Sequence, residues 1–159
     1  HRQIGNDLEI GPIDSIHGSF MFINKKRYYE IGKFDENFFL YFEETDFCKR
    51  GLDLGLKAYQ INRVKVKTQG RTVTINNKKE RNRLANLLTW HFIWSKYYFK
   101  KKNYGRVISI IVMIPTMFRA ILKIIYYKLT SNNKDLDKYK FRLAGLISSI
   151  IGKKSHLRP

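Results

Sequence analysis

The chain has 159 residues, with 31 Lys and Arg against 13 Asp and Glu, which gives a formal net charge of +18. Its 43% hydrophobic and 14% aromatic content excludes disorder throughout, because this much apolar surface can offset the ordering entropy. The single cysteine, Cys48, excludes an internal disulfide and a cysteine-based zinc site. We predict that Cys48 is a small, buried hydrophobic residue of a protein in a reducing compartment.

The positive charge is concentrated in the second half of the chain. Residues 1–77 carry a net charge of +2, whereas residues 78–159 carry +16, with 19 Lys and Arg against three acids. A block this cationic is typical of proteins that meet an anionic partner, such as nucleic acid or a membrane surface. We therefore predict two domains, a mixed-charge region at 1–77 and a basic extension at 78–159.

The first half of the chain is predicted to form short loops, strands and helices. Residues 1–14 combine glycine and proline with polar residues and predict a loop, and the apolar run Ser19–Ile23 predicts a buried strand. Asn24 predicts the cap of a short helix. The segment Glu43–Arg50, with acids first and bases later, predicts a helix that ends at Gly55.

Strands and long helices are predicted for the rest of the chain. Ala58–Ile61 and Val64–Val66 predict strands. An amphipathic helix is predicted from Lys79 to Lys102, and a last helix from Lys138 to Ile151. Between them lie the apolar runs Val107–Phe118 and Leu122–Leu129. Because Arg119 and Lys123 interrupt them, they fall short of the roughly 20 apolar residues of a spanning helix.

The densest group of carboxylates, Glu43, Glu44 and Asp46, follows an aromatic stretch. On a helix, Glu43 and Asp46 share a face, and Glu44 points about 100° away. Aromatic neighbours can desolvate a carboxylate and raise its pKa, which suits a general base. Alternatively, these acids only stabilise the N-terminus of a helix, by about 0.3–1 kcal/mol each.

Three motifs in order resemble a known enzyme family. They are Gly18–Ile23 (GSFMFI), Tyr29–Glu36 (YEIGKFDE) and Phe38–Arg50 (FFLYFEETDFCKR). Together they are similar to the second half of family 2 glycosyltransferases with the GT-A fold, particularly the rhamnosyltransferase-like branch, over residues 10–72 and more loosely beyond. The resemblance implies an α/β fold: the C-terminal part of a GT-A (Rossmann-like) domain, followed by a mostly α-helical basic extension.

The same resemblance implies an activity and its residues. It implies inverting transfer of a sugar from a nucleotide-diphosphate donor to a saccharide or lipid-linked acceptor in cell-surface polysaccharide synthesis. By position in the motif, Glu44 is the first choice for the base that deprotonates the acceptor, with Glu43 and Asp46 in support. Gly18 matches a glycine that lets a ligand approach the backbone. Its neighbours His17 and Ser19 are further candidates for substrate binding, although His17 also reads as a structural residue.

Two positions depart from the family pattern. Glu44 stands where the family usually has Asp, and its extra methylene either changes the reach of the base or makes Asp46 the better candidate. Thr68 stands where a His is expected to help hold metal or diphosphate.

The family also implies a divalent metal, Mg²⁺ or Mn²⁺, held by a DxD motif that this chain does not contain. We expect the metal ligands and most of the donor site to lie outside this chain. We also expect the chain to be the latter part of a longer enzyme and to be inactive alone.

The basic second half allows three interpretations. In the first, amphipathic helices in 79–152 lie on the anionic inner leaflet, with Val107–Tyr127 inserted shallowly. In the second, the helices bind nucleic acid, although no recognition motif supports this. In the third, the lysines only form solvated helix faces. We prefer the first, which predicts a cytoplasmic protein, peripheral on the inner face of the cell membrane, without a specific nucleic-acid partner. The alternative to an enzyme is a non-enzymatic basic module that binds membrane or nucleic acid.

Overall fold

The computed structural model describes residues 10–67, 77–155 and 157, of which about 62% are helical and about 6% lie in strands. The elements, in chain order, are β1 (Ile10–Ile13), α1 (Lys25–Glu30), α2 (Glu43–Asp53), β2 (Ala58–Ile61), α3 (Lys78–Tyr104), α4 (Arg106–Leu129) and α5 (Asn133–Ile150). The two strands pair antiparallel, with Ile10 opposite Ile61 and Ile13 opposite Ala58.

The α/β prediction, a C-terminal part of a GT-A (Rossmann-like) domain, is wrong for this part of the chain. Such a domain rests on a parallel sheet covered on both faces, whereas the sheet described here has two antiparallel, largely exposed strands. The run Ser19–Ile23 is not a strand: a turn joins Phe20 N–H to His17 O at 3.3 Å, and Phe22 is 85% exposed. A short apolar run does not distinguish a buried strand from an exposed loop.

One further strand prediction and one loop prediction are also wrong. Val64–Val66 is exposed and forms no strand. Residues 10–13, predicted as part of a loop, form β1 instead. Gly11 and Pro12 have low strand propensity, but pairing with β2 overrides it.

The described residues pack as two compact units. Unit 1 takes its described residues from His1–Glu36 and Glu43–Val73, and unit 2 from Asn37–Phe42 and Thr74–Pro159. The sequence-based domain boundary at residue 77 stays a prediction.

Local capping defines both helices of unit 1. The Asn24 side chain accepts a hydrogen bond from Arg27 N–H at the start of α1. Gly55, the residue at which the second helix was predicted to end, follows α2 with φ +77°, a left-handed conformation that glycine adopts readily. The rings of Tyr28, Phe34 and Phe47 pack together with centroids 4.9–5.7 Å apart. This packing holds α1 in place, although its first turn carries cations that oppose the helix dipole.

Unit 2 is built on three helices. Asn77 caps α3, and Gly105, at φ +79°, separates α3 from α4. The prediction of a helix over Lys79–Lys102 is confirmed. The last helix begins at Asn133, earlier than predicted, because Asn132 accepts a hydrogen bond from Asp135 N–H and caps it.

A close approach of α3 and α5 forms the centre of unit 2. A Cβ on Gly145 would lie 2.5 Å from the backbone oxygen of Trp90, so only glycine fits at this crossing. The buried core beside it contains Ile93, Tyr97, Met113 and Leu146. The three helices therefore share one core.

The chain end packs on α3 through the buried His91. Its Nδ1 lies 2.9 Å from Ser155 Oγ, and its Nε2 lies 2.8 Å from Leu157 O. A carbonyl only accepts, so Nε2 carries a proton and donates it to Leu157 O. Trp94 Nε1 donates to Lys153 O at 2.9 Å. These bonds fasten the residues after α5 to α3.

The aromatic segment 37–42 also belongs to unit 2. Ser95 Oγ donates to Leu40 O at 2.7 Å, and the Phe38 ring meets Tyr98 edge to face at 4.9 Å. Tyr41 and Phe42 have φ values of +67° and +72°, an uncommon conformation for bulky residues. Strained backbone therefore directly precedes the first acid of α2.

The apolar runs between 107 and 129 form a single helix. The helix α4 has 24 residues, and its most apolar stretch of 18 residues has a mean hydropathy of 2.0, with 17% of that stretch buried. By length and composition, α4 is long and apolar enough to cross a membrane. Arg119 and Lys123, which interrupt the apolar runs in the sequence, lie within this one helix, and the absence of a membrane span stays a prediction. Core helices of soluble proteins can have the same length and apolar composition.

Candidate functional site

The three candidate acids lie in the first turn of α2, as predicted. Carboxylates are favourable there because the unpaired N–H groups of a helix start carry partial positive charge. Asp46 is fully buried, while Glu43 and Glu44 are half-buried. The three side chains differ in their hydrogen-bond partners.

Glu44 approaches the turn that contains Gly18. Gly18 N–H donates to Glu44 Oε1 at 3.4 Å, and a Cβ on Gly18 would lie 3.5 Å from Cδ of Glu44. The other oxygen, Oε2, is buried and has no hydrogen-bond partner among the described residues. Glu44 is therefore held through one oxygen, while its second oxygen is buried without a hydrogen bond from the described residues.

Burial raises the pKa of the Glu43 carboxyl above its ordinary value. A hydrogen bond from its own backbone N–H opposes this effect, and the nearby charge of Glu44 adds to it. Its Oε2 is buried without a hydrogen-bond partner in the described structure. Adjacent carboxyl groups in unequal surroundings are typical of acid–base sites.

Asp46 is engaged in an ion pair within α2. Arg50 Nε donates to Asp46 Oδ2 at 2.8 Å, one helical turn away. Arg50 also donates to the carbonyl of Ile31 and, at 2.6 Å, to that of Lys33. The pair thus ties α2 to the end of α1, which favours a positioning role for Asp46 over that of a base.

Arg50 was not singled out from the sequence. Its spacing of four residues from Asp46 is the signal that could have identified it, because such residues are neighbours on a helix.

The structure brings the predicted substrate-binding residues beside Glu44. His17 and Ser19 flank Gly18 and are both exposed. Ser19 N–H donates to His17 Nδ1 at 3.3 Å, and Ser19 Oγ lies 2.9 Å from the same nitrogen. The turn therefore presents an imidazole and a hydroxyl to solvent near the carboxylate, and their part in binding stays a prediction.

Cys48 is buried, as the sequence predicts. Burial raises the pKa of its thiol, helped by the charge of Glu44 and opposed by hydrogen bonding with Ile16 and Ser15. A thiol in this state is a poor nucleophile. We therefore assign Cys48 to packing.

A cavity of about 560 Å³ lies within unit 1. It is lined mainly by apolar side chains such as Met21, Phe47 and Leu56, with Arg27 and Lys57 as cations. The three acids are not among its lining residues, so the cavity and the carboxylates are separate features.

A metal site does not fit the described residues. They contain no group of three or more His, Cys, Asp or Glu residues that could hold a metal ion. Thr68, which replaces the expected His, lies outside the described residues. Mg²⁺ or Mn²⁺, expected from the resemblance, therefore finds no ligand set in this part of the chain.

Comparison with known proteins finds a partial similarity to a curated protein. A segment of 46 residues is 41% identical to the low-salt glycan biosynthesis hexosyltransferase Agl10 of Haloferax volcanii. It covers 29% of this chain and 15% of that protein, so the chain matches a small part of its length. No family model and no solved structure matches the chain. The finding indicates a relationship to a glycosyltransferase over that segment.

Proposed function

We propose that this chain is part of a glycosyltransferase that moves a hexose from a nucleotide-diphosphate donor to a hydroxyl acceptor. The arrangement of Glu44 carries the proposal: one oxygen faces Gly18 N–H, and the other accepts no hydrogen bond within the described residues. The segment similar to a hexosyltransferase supports sugar transfer as the reaction class. The proposed acceptor is a saccharide or lipid-linked saccharide that becomes part of a cell-surface polysaccharide.

In this proposal Glu44 is the general base. Its carboxylate takes the proton of the acceptor hydroxyl while the acceptor oxygen forms a bond to the anomeric carbon of the donor. The bond from that carbon to the diphosphate oxygen breaks, and its electron pair leaves with the nucleotide diphosphate. Attack from the opposite face inverts the anomeric configuration.

The neighbouring residues support the base. Glu43, with its raised pKa, holds a proton over a wider pH range and so limits the negative charge beside Glu44. Asp46 positions the helix through Arg50. The exposed turn of His17, Gly18 and Ser19 is proposed to contact the sugar hydroxyls.

The donor site and cellular location are also proposals. Because the described residues offer no metal ligand set, no step here involves a metal, and we propose that residues outside them bind Mg²⁺ or Mn²⁺ and most of the donor. We place the enzyme peripherally on the inner face of the cell membrane, since the charge of residues 78–159 suits anionic lipid.

The experiment replaces Glu44 by Gln in the complete enzyme that carries this chain. We expect sugar transfer to fall by roughly two to four orders of magnitude, the usual contribution of a general base, with donor binding nearly unchanged. Asp53→Asn, an exposed acid at the other end of α2, is the matched control and should retain activity. Transfer from nucleotide sugar to a membrane glycan fraction measures turnover.

Full turnover by Glu44→Gln would remove the assigned base, and the same test on Glu43→Gln and Asp46→Asn would show whether another acid takes that role. The isolated 159-residue chain should transfer no sugar, and transfer by it would contradict a donor site outside the chain.

A further inference from the structure

The outer face of α4 is a continuous apolar surface. Eleven large apolar side chains on this helix are each between 39% and 81% exposed: Val107, Ile108, Ile111, Val112, Ile114, Phe118, Ile121, Leu122, Ile125, Tyr126 and Leu129. The opposite side of the helix buries Ser109, Met113 and Ala120 in unit 2. Exposed apolar surfaces of this extent mark binding sites for a partner or a membrane.

Cations border this face on both sides. A helix turns about 100° per residue, so Arg119 and Lys123 lie roughly 100–140° to one side of Phe118, and Lys128 and Arg106 roughly 80–120° to the other. The helix contains no acid. A band of apolar side chains between two rows of cations matches an anionic lipid surface, where the apolar band enters the acyl region and the cations reach the headgroups.

We infer that α4 lies in the plane of an anionic phospholipid membrane, with the face centred on Phe118 buried in the lipid. This inference does not rest on the proposed sugar transfer.

The packing of unit 2 favours the in-plane orientation over a span. At 1.5 Å per residue, the 24 residues of α4 measure about 36 Å, enough to cross a hydrocarbon core of about 30 Å. A spanning α4, however, would place Arg119 near the bilayer centre at a cost of several kcal/mol.

Spanning would also carry α5 into the hydrocarbon, because the two helices pack along their length, from Met113 with Leu146 to the stacked rings of Tyr127 and Tyr139. The α5 helix exposes Lys134, Asp137, Lys138 and Lys140. In the plane, by contrast, α4 shields α5 from the lipid.

Vesicle flotation of the 159-residue chain tests the contact. We expect the chain to float with vesicles of phosphatidylcholine containing about one third phosphatidylglycerol, and much less with phosphatidylcholine alone or at high salt. Ile111→Asp and Phe118→Asp should each weaken binding by roughly tenfold, because each removes an apolar contact and adds an anion. Both side chains are more than half exposed, so the fold should tolerate these changes.

Ile147→Asp on the exposed side of α5 is the matched control and should bind like the original chain. Unchanged flotation of the two α4 variants would overturn the inference. So would self-association or binding to duplex DNA through the same face without affinity for the vesicles.

Depth measurements test the orientation. Val107, Phe118 and Leu129 lie within about 40° of one line along α4, so single cysteines at these positions can carry a polarity-sensitive dye in a Cys48→Ser background. An in-plane helix places all three dyes at one shallow depth. A dye at Phe118 that lies far deeper than the other two would show a spanning helix and overturn this part of the inference.

Discussion

Glu43 and Glu44 show how adjacent side chains of the same chemistry acquire different properties. Glu44 is held through Gly18 N–H, whereas the partly buried Glu43 is shifted toward its protonated form. The sequence predicted that the three acids lie together at the start of a helix, because this is a local property. It did not separate Asp46 from the others, since that distinction depends on the carbonyls of Ile31 and Lys33 that share its arginine.

The raised pKa of Glu43 predicts how stability depends on pH. The folded state binds this proton more tightly than the unfolded chain, so the stabilising effect is complete below the ordinary carboxyl value of 4.5. The effect is lost as the pH rises through the higher folded pKa. The variant Glu43→Gln lacks this titrating group. As the pH rises above 4.5, the free energy of unfolding of the variant should therefore increase relative to that of the original chain.

Urea unfolding at several pH values from about 4 to 7 measures this difference. Glu30→Gln, at an exposed carboxyl, is the control and should show no comparable pH-dependent gain. A difference between Glu43→Gln and the original chain that is constant with pH would contradict the prediction.

Among the helices and strands, local capping was predictable and long-range pairing was not. Asn24 at the start of α1, Gly55 after α2 and Gly105 after α3 are residues whose side chain, or lack of one, acts within a single turn. The sheet joins residues 10–13 to 58–61 through backbone hydrogen bonds, for which no side-chain pattern is required. That difference explains why the helices were largely anticipated and the fold class was wrong.

The crossing of α3 and α5 depends on Gly145. In Gly145→Ala the new methyl group would overlap the backbone oxygen of Trp90, which cannot move aside as a flexible side chain can. We expect a loss of about 1–3 kcal/mol in the free energy of unfolding, the usual cost of overpacking. Ala144→Ser, at the exposed neighbour, should change it by less than about 0.5 kcal/mol, and chemical denaturation compares the two. An unchanged stability of Gly145→Ala would contradict this close approach.

Over the whole molecule, repulsion between like charges opposes the compact state. The net charge is +18, with most of it in residues 78–159. Salt screens such repulsion over distances of about 10 Å at 0.1 M. The thermal midpoint should therefore rise between about 20 and 300 mM NaCl, as followed by circular dichroism, whereas a fall would mean that attractive ion pairs dominate.

The path of the chain through segment 37–42 limits how the protein can be divided. Residues on both sides of this segment belong to unit 1, yet Leu40 is bonded to Ser95, and Phe38 covers Tyr98. A fragment that begins at residue 78 would lose these contacts and expose the aromatic surface of α3 to water. Expression of the basic helices alone therefore needs a peptide supplied in trans, or a linker that restores the six residues to their place.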